Sequence, residues 1–236
     1  MKNIVHRIFK DNGFTNLEIE NPVEASQIEF WANYSEEAIN FYLVLFSDEE
    51  IKESFLSNEV PAYFNAIKQL KVGYDERMDK NLSLIVFVKT DNNEIQKNSE
   101  KIFEIEEDPY FFKKYVVTYH EDNYIKLKNR FDTSHESSNE ILNKVINNST
   151  MFLDYKTNEN NSDEISLYEI CAKLMVKIPF IKLEKRIEKI ENLNEKINEE
   201  LSEKSLLIFK NSLLVTDIND EKVVDNILLI VEDDLK

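Results

Sequence analysis

The histidines are the side chains best suited to proton transfer near neutral pH, and there are three, His6, His120 and His135. None has the spacing of an H-E-x-x-H zinc motif. His120 precedes Glu121 and Asp122, and an imidazole beside carboxylates could bind a metal ion or relay a proton. Acidic residues also favour the positive end of a helix dipole. Because the cluster directly follows a strand-like run, we interpret it as the start of a helix.

Metal-dependent nuclease chemistry would require carboxylates at fixed positions. Such a site pairs an acidic residue with an acidic-x-Lys triple on the next strand, which places Mg²⁺ beside a lysine. Lys89 ends a strand-like run, but Phe87 stands two positions before it, where an acid is needed. Asp48, Asp75 and Asp91 lie outside the strand-like runs, and no pattern orders them around an ion. We therefore predict a protein that is not an enzyme, with a degenerate magnesium-dependent nuclease as an alternative.

Glycine and cysteine usage excludes other kinds of site. Gly13 and Gly73 are the only glycines, whereas the Walker A and G-x-G-x-x-G loops need clustered glycines to bring backbone N–H groups to a phosphate. Cys171 is the only cysteine, so an intramolecular disulfide is impossible. It lies in the apolar run 170–176, where we interpret it as a buried, unreactive thiol. No cofactor and no metal site are predicted.

The charge balance favours a protein partner over a nucleic acid. The 236 residues include 46 acidic and 29 basic side chains, a formal net charge of −17, which repels the phosphates whose neutralisation supplies most nucleic-acid affinity. We predict no direct sequence-specific nucleic-acid binding and a partner with a basic surface; an acidic DNA mimic that occupies a basic groove stays an alternative. No apolar run approaches the roughly 18 residues of a membrane span, and residues 1–7 lack a signal-peptide core, so we expect a cytoplasmic protein without membrane contact.

Hydrophobic periodicity predicts an α+β fold, with a small mixed or antiparallel β-sheet flanked by helices. The run 40–46 is nearly continuously apolar, which is typical of a strand buried on both faces at the centre of a sheet. We expect an α+β domain at 1–153, a polar loop at 154–164 and a helical C-terminal region at 165–236, packed on the first part. The predicted strands are 27–34, 40–46, 82–89 and 116–119, and the predicted helices are 3–12, 49–71 with a kink at Pro61, 94–105, 121–131, 138–147 and 164–176.

The C-terminal third predicts a long amphipathic helix over 183–201. Its apolar residues recur at steps of three and four, with Glu and Lys between them, which forms a narrow seam. The seam consists of Leu183, Ile187, Ile190, Leu193, Ile197 and Leu201, and Asn194 stands where a heptad would place a register-fixing residue. The stripe could cover the sheet of its own domain or pack on a partner's helix. Beyond it we expect strand-like runs at 205–209 and 212–215 and a helix at 220–231.

The densest cluster of unusual residues lies at 105–116. Three acids precede Pro109, and three aromatics, two lysines and a further aromatic follow. Since proline disfavours helical geometry in the preceding residue, a helix should end at Asp108. The aromatics could then enter the core while the lysines snorkel to solvent, or they could anchor an interface. We call Tyr110–Tyr115 the aromatic–lysine segment; its residues are Tyr110, Phe111, Phe112, Lys113, Lys114 and Tyr115.

The run Ile105–Tyr119 resembles the middle component, type 1-like, of prokaryotic ABC three-component conflict systems. The sequence departs from that pattern at Val117-Thr118, where Leu-Pro is expected. The resemblance implies a small non-enzymatic α+β subunit encoded between an ABC or SMC-like ATPase and an effector, often a nuclease, in antiphage defence. Lamassu-type systems have this three-part arrangement. It therefore implies an adaptor that forms a hetero-oligomer with the ATPase and the effector.

The two docking surfaces that we predict for this adaptor are the aromatic–lysine segment and the 183–201 helix. From the helix, the partner-binding candidates are Ile187, Ile190, Asn194 and Ile197.

Overall fold

The computed structural model describes residues 1–23, 26–35, 40–47, 51–70, 74–90, 95–157, 162–184, 193–203 and 206–215. The chain divides into two compact units, Met1–Glu184 and Lys185–Lys236.

A five-stranded mixed sheet forms the centre of the first unit, which confirms the predicted α+β class. The strands lie in chain order across the sheet. β1 and β5 are therefore the two edge strands. Neighbouring strands are antiparallel from β1 to β3 and parallel from β3 to β5. The strands are β1 (Thr15–Leu17), β2 (Gln27–Asn33), β3 (Asn40–Ser47), β4 (Leu82–Lys89) and β5 (Lys113–Tyr119).

Helices cover both faces of this sheet. No helix in the described parts of the chain is long and apolar enough to cross a lipid bilayer. The first unit contains α1 (Lys2–Asp11), α2 (Val60–Lys68), α3 (Met78–Asn81), α4 (Ile95–Glu107), α5 (Glu121–Thr133), α6 (Ser138–Ile146), α7 (Ser149–Thr157) and α8 (Ser162–Lys177). The second unit contains α9 (Leu193–Glu203) and α10 (Leu207–Val215).

The sheet separates two hydrophobic clusters, because successive strand residues point to opposite faces. In the central strand β3, Phe41 and Leu43 belong to one cluster, and Tyr42 and Val44 belong to the other. The first of these clusters is completed by α2, α3 and α4, and the second by α1 and α5 to α8. The two crossovers that join the parallel strands therefore place their helices on the same face.

The apolar runs identified four of the five strands correctly. β5 begins at Lys113, three residues before the predicted start, so half of the aromatic–lysine segment is strand. β1 was not predicted, since it has only three residues and two of them are polar. The predicted helix 49–71 is shorter: α2 begins at Val60 after a π-helical turn at Phe55–Glu59, and Pro61 lies in its first turn instead of kinking it.

Helix occupies much of the segment that we predicted as a polar loop at 154–164. α7 ends at Thr157, and α8 begins at Ser162, where Asp163 and Glu164 favour the positive end of the helix dipole. The rest of this segment lies outside the described residues. α8 packs against α5, α6, α7 and β5 and belongs to the first compact unit.

The long helix predicted over 183–201 is not confirmed. Leu183 lies in a non-helical stretch, residues 185–192 lie outside the described part of the chain, and α9 has 11 residues. The strand predicted at 205–209 and 212–215 is wrong, because Leu207–Val215 forms the helix α10. The helix predicted at 220–231 lies outside the described residues.

A candidate partner interface at the start of strand β5

A short loop separates α4 from β5 and carries the first half of the aromatic–lysine segment. α4 ends at Glu107, and Pro109 accounts for that end because it excludes helical geometry from Asp108. The Asp108 carboxylate then accepts a hydrogen bond from the Tyr110 N–H at 3.2 Å, a local turn that begins the loop.

A buried lysine holds this loop in place. Lys114 is 3% exposed, and its ammonium group lies 2.5 Å from the Asp108 carboxylate. The same group donates to the main-chain oxygens of Asp108, Tyr110 and Phe112, at 3.0, 2.6 and 3.2 Å. A buried cation requires such partners, since an unpaired one carries a large desolvation cost. Lys114 therefore does not snorkel to solvent; it joins strand β5 to the loop before it.

The backbone at Phe111 has an unusual conformation. Its φ angle is +67°, and Phe111 is the only non-glycine residue in the described part of the chain with a positive φ. The Phe112 N–H donates to the Tyr110 carbonyl at 2.8 Å, so Phe111 is the centre of a tight three-residue turn. A bulky residue in this region is strained by about 1–3 kcal/mol, and such strain concentrates at functional sites.

The turn sends neighbouring aromatic side chains in opposite directions. Phe112 is 4% exposed and packs in the core under α2 and α4. Tyr110 is 66% exposed and Phe111 is 45% exposed. The sequence left core and interface roles open for this cluster, and the structure assigns different surroundings to adjacent residues.

Phe111 borders an open groove of about 630 Å³ on the same face of the sheet. Its ring lies 5.3 Å from that of Phe64 on α2, between centroids, and the Phe64 ring lies 5.9 Å from that of Phe112. Lys113 is exposed, and its ammonium group lies 5.7 Å from the centre of the half-buried Tyr115 ring. We call it the Phe111 groove, and its wall includes Phe64, Leu82, Glu107, Pro109, Phe111 and Lys113.

An ion pair supports the α2 side of this groove. Lys68 binds the Asp79 carboxylate, and the Tyr74 hydroxyl donates to the same carboxylate at 2.7 Å. The hydrogen bond from Lys68 and that from Tyr74 lower the pKa of Asp79, and the bond to Asp79 raises the pKa of Lys68. The Lys68 ammonium lies 5.7 Å from the centre of the Phe64 ring, a distance at which a cation–π interaction stabilises the position of the ring.

The outer edge of β5 is covered by charged side chains from both helical layers. Glu106 of α4 accepts a hydrogen bond from the Val116 N–H at 2.8 Å. Lys177 of α8 binds both oxygens of the Glu106 carboxylate at 2.6 Å, and Lys173 reaches the Thr118 carbonyl at 3.3 Å. These contacts occupy backbone groups that an edge strand would otherwise present to another chain.

The candidates in the C-terminal part are only partly described. Ile187 and Ile190 lie outside the described residues. Asn194 and Ile197 belong to α9 in the second compact unit, and Ile197 is exposed. Both stay predictions as partner-binding residues.

Two of the residues weighed for catalysis, His120 and Asp75, make structural contacts. His120 caps α5: its N–H donates to the Asn123 side chain at 3.0 Å, and its Nδ1 lies 2.7 Å from the Thr90 carbonyl. Hydrogen bonds from Arg77 lower the pKa of Asp75 to about 2. Asp48 and Asp91 lie outside the described residues, and within the described part of the chain no three His, Cys, Asp or Glu residues cluster as a metal site would require.

Cys171 is fully buried in α8, as its apolar neighbours indicated. Burial raises the pKa of its thiol well above the ordinary value, which disfavours the reactive thiolate.

Sequence reasoning missed two residues that shape the candidate interface. Phe64 forms its α2 side, and it is far from the aromatic–lysine segment in the sequence. Glu106 covers the β5 edge, and no local pattern in the sequence marks a carboxylate that bonds a strand ten residues later. The acids before Pro109 were noted only as a composition feature.

Comparison with known families gives one match. Residues 40–148, just under half of the chain, match the family model described as ABC-three component (ABC-3C) system Middle Component 1. The matched region runs from β3 through α6 and includes the whole aromatic–lysine segment. The resemblance predicted from the residues is thereby confirmed at the level of the middle component. No curated protein and no solved structure matches the chain.

Proposed function

We propose that this protein, which carries the ABC-3C Middle Component 1 match, is a non-catalytic adaptor subunit of such a system. In this proposal it links an SMC- or ABC-type ATPase to an effector, such as a nuclease, in a prokaryotic antiphage defence complex of the Lamassu kind. The observation that carries the proposal is the presentation of Tyr110 and Phe111 on a loop that is held by the buried Lys114.

The loop has the physical properties of a binding hot spot. Aromatic side chains dominate interface energies because they bury a large area at a low cost in side-chain entropy. Lys114 and the tight turn at Phe111 fix the backbone before any partner arrives. Such preorganisation reduces the entropy that binding would otherwise cost. A loop that served only the core would bury these rings, as it buries Phe112.

The charge of the chain supports a basic partner surface. The formal net charge is −17, and Glu107 and Asp108 lie in the wall of the Phe111 groove. Opposite charge on a partner would raise the association rate and orient the two surfaces before the aromatic rings dock. Lys80 and Lys113 are exposed cations of this wall, and they would pair with acidic residues at the rim of the partner.

The non-catalytic assignment is part of the proposal. It is supported by the lack of clustered glycines in the sequence and by the structural roles of His120 and Asp75. In an adaptor of this kind, the ATPase supplies the nucleotide chemistry and the effector supplies the cleavage chemistry.

Co-expression with the products of the two flanking genes tests the adaptor role. The test variant combines Tyr110→Ala with Phe111→Asn, because Asn tolerates a positive φ and keeps the turn. The control variant combines Phe152→Ala with Leu153→Ala on α7. These two side chains are 42% and 58% exposed, close to the values for Phe111 and Tyr110, but α7 packs with the opposite helical layer.

We expect the wild-type protein and the α7 control to co-elute with an ABC-type ATPase and an effector in size-exclusion chromatography with mass detection. The loop variant should bind at least one partner about tenfold more weakly or worse. Lys113→Glu is the charge-reversal variant suited to this surface, since Lys114→Glu would place an acid in the core. A wild-type protein that elutes alone, or a loop variant that binds both partners normally, would contradict the proposal.

A further inference from the structure

A second groove lies on the other flank of α2, beside the edge strand β1. Its volume is about 900 Å³. Its apolar floor comes partly from the β1 region and partly from α2, and the side chains concerned are half-buried. We call it the β1 groove, and its floor consists of Leu17, Ile19, Ala62, Ala66 and Leu70.

The rim of the β1 groove is acidic. Glu18 and Glu20 are exposed along it, on either side of Ile19. No Lys or Arg is among its lining residues in the part of the chain that the structure describes. The wall on α2 adds the amide side chains of Asn65 and Gln69, which can donate and accept hydrogen bonds.

The edge strand beside this groove is paired on one side only. β1 bonds to β2 through Thr15–Leu17, and it is the terminal strand of the sheet. An edge strand presents a row of N–H and C=O groups that can pair with an added strand. Three residues offer few such bonds, so apolar contacts and charge must supply much of the affinity of any ligand here.

We propose that the β1 groove binds an extended segment of a partner protein in which apolar residues alternate with Lys or Arg. The apolar side chains would contact the floor at Leu17, Ile19 and Ala66, and the cations would pair with Glu18 and Glu20. The backbone would add alongside β1. Charge complementarity selects this occupant, since an acidic segment would be repelled by the rim and by a chain of net charge −17.

The β1 groove and the Phe111 groove are separate sites on the same face of the sheet. α2 forms a ridge between them: Ala62 and Ala66 line one side, and Phe64 contacts Phe111 on the other. Both grooves can therefore be occupied at once. The proposal requires only the β1 groove itself, and it holds whether or not Tyr110 and Phe111 bind a partner.

Selection from a random-peptide phage library on the full-length protein tests the proposal without a known partner. Selected peptides are synthesised with a fluorescent label, and their affinities are measured by anisotropy against wild type and variants. Ala66→Arg fills the groove at little cost in helix propensity. Asn129→Arg on the exposed face of α5 is its matched control.

The second variant pair tests the charge. Glu18→Lys combined with Glu20→Lys inverts the rim, and Glu199→Lys combined with Glu203→Lys makes the same change in net charge on exposed positions of α9. We expect basic, apolar peptides that lose about tenfold or more in affinity with Ala66→Arg and with the inverted rim. Both controls and the Tyr110→Ala, Phe111→Asn variant should bind within about twofold of wild type.

Changes in the NMR chemical shifts of backbone amides on peptide binding identify the strand that the peptide pairs with. Shifts at Thr15–Leu17 are expected. The proposal is overturned if no selected peptide is sensitive to Ala66→Arg, if the selected peptides are acidic, or if they bind the inverted rim as well as they bind wild type. A negative result in this test does not change the expected result of the co-elution experiment on the Tyr110→Ala, Phe111→Asn variant. The two proposals can therefore fail separately.

Discussion

At one edge of the sheet, charged side chains from two helices bond the backbone of β5, whereas at the other edge β1 offers three residues beside an open groove. Natural sheets usually cover or shorten their edges, because an exposed edge pairs with other chains. This protein uses both solutions. The covered edge carries the rigid aromatic loop, and the short edge carries a surface that a partner segment can complete.

Different residues make the β5 edge rigid and leave the β1 edge open to a partner. Around β5, Lys114 and Glu106 each bond backbone groups of a neighbouring element, so removing either should loosen the structure. Around β1, Glu18 and Glu20 extend into solvent, so changing them should affect binding more than folding. Measurements of the free energy of unfolding of single variants therefore test this division.

The largest effect is expected for Lys114→Met. The change removes the buried cation together with its hydrogen bonds to the Asp108 carboxylate and to the main-chain oxygens of Asp108, Tyr110 and Phe112. Lys114 is buried and Asp108 is partly exposed, so the loss consists mainly of the charge-assisted hydrogen bonds of the ammonium group, and the free energy of unfolding should fall by about 3 kcal/mol. In a unit of this size the melting temperature would fall by roughly 6–12 °C. Thermal and urea unfolding measure both quantities.

Lys113→Met is the matched control for this prediction, because Lys113 precedes Lys114 and is exposed. Its free energy of unfolding should stay within about 0.5 kcal/mol of wild type. Equal effects of the two changes would show that the ammonium group of Lys114 does not hold the loop.

A smaller effect is expected when the cover of the β5 edge is removed. Glu106→Ala deletes the acceptor of the Val116 N–H and the partner of Lys177, and it should cost about 2 kcal/mol. Hydrogen exchange at the Val116 amide should become roughly tenfold faster or more. Glu106→Gln keeps a side-chain oxygen near that amide and should lie between wild type and Glu106→Ala. An unchanged exchange rate at Val116 in Glu106→Ala would refute this account of the edge.

The sequence predicted the centre of the fold better than its periphery. β3 and β4 are nearly continuous apolar runs, which are typical of buried strands, and both were located within one residue. α10 was misread as strand because its short apolar runs do not distinguish a strand from a helix. β1 is formed by its pairing with β2, and nothing within Thr15–Leu17 indicates that pairing.

The candidate interface was located by its composition, but its geometry was not. The acids, Pro109 and the aromatics directed attention to the segment that borders the Phe111 groove, and its role as an interface stays a prediction. Which side chains face solvent depends on the positive φ at Phe111 and on the ammonium of Lys114, and both arise from packing between loop and strand. The sequence predicted that both lysines would reach solvent if the aromatics entered the core. Lys113 is exposed, as predicted, whereas Lys114 is buried, so the prediction is wrong for Lys114.

At the β1 edge, inversion of the rim should barely affect stability. Glu18→Lys with Glu20→Lys changes two exposed side chains, so the free energy of unfolding should change by less than about 0.5 kcal/mol. Urea unfolding at neutral pH measures it, with Glu199→Lys and Glu203→Lys as the pair of equal charge change. A loss as large as that expected for Glu106→Ala would mean that the open edge has a structural role, and the division between the two edges would fail.

The smallest effect is expected for an exposed ion pair that serves neither edge. Hydrogen bonds from Arg77 lower the pKa of Asp75 from 3.8 to about 2. Because the pKa in the folded protein lies below the ordinary value, this pair stabilises the fold above about pH 4, and the contribution is lost as the pH falls towards 2. An NMR titration of the Asp75 carboxyl should have its midpoint near pH 2 in wild type and at a higher pH in Arg77→Gln, which loses the guanidinium but keeps the backbone N–H bond to Asp75. A wild-type midpoint near 3.8 would mean that the pair does not persist in solution.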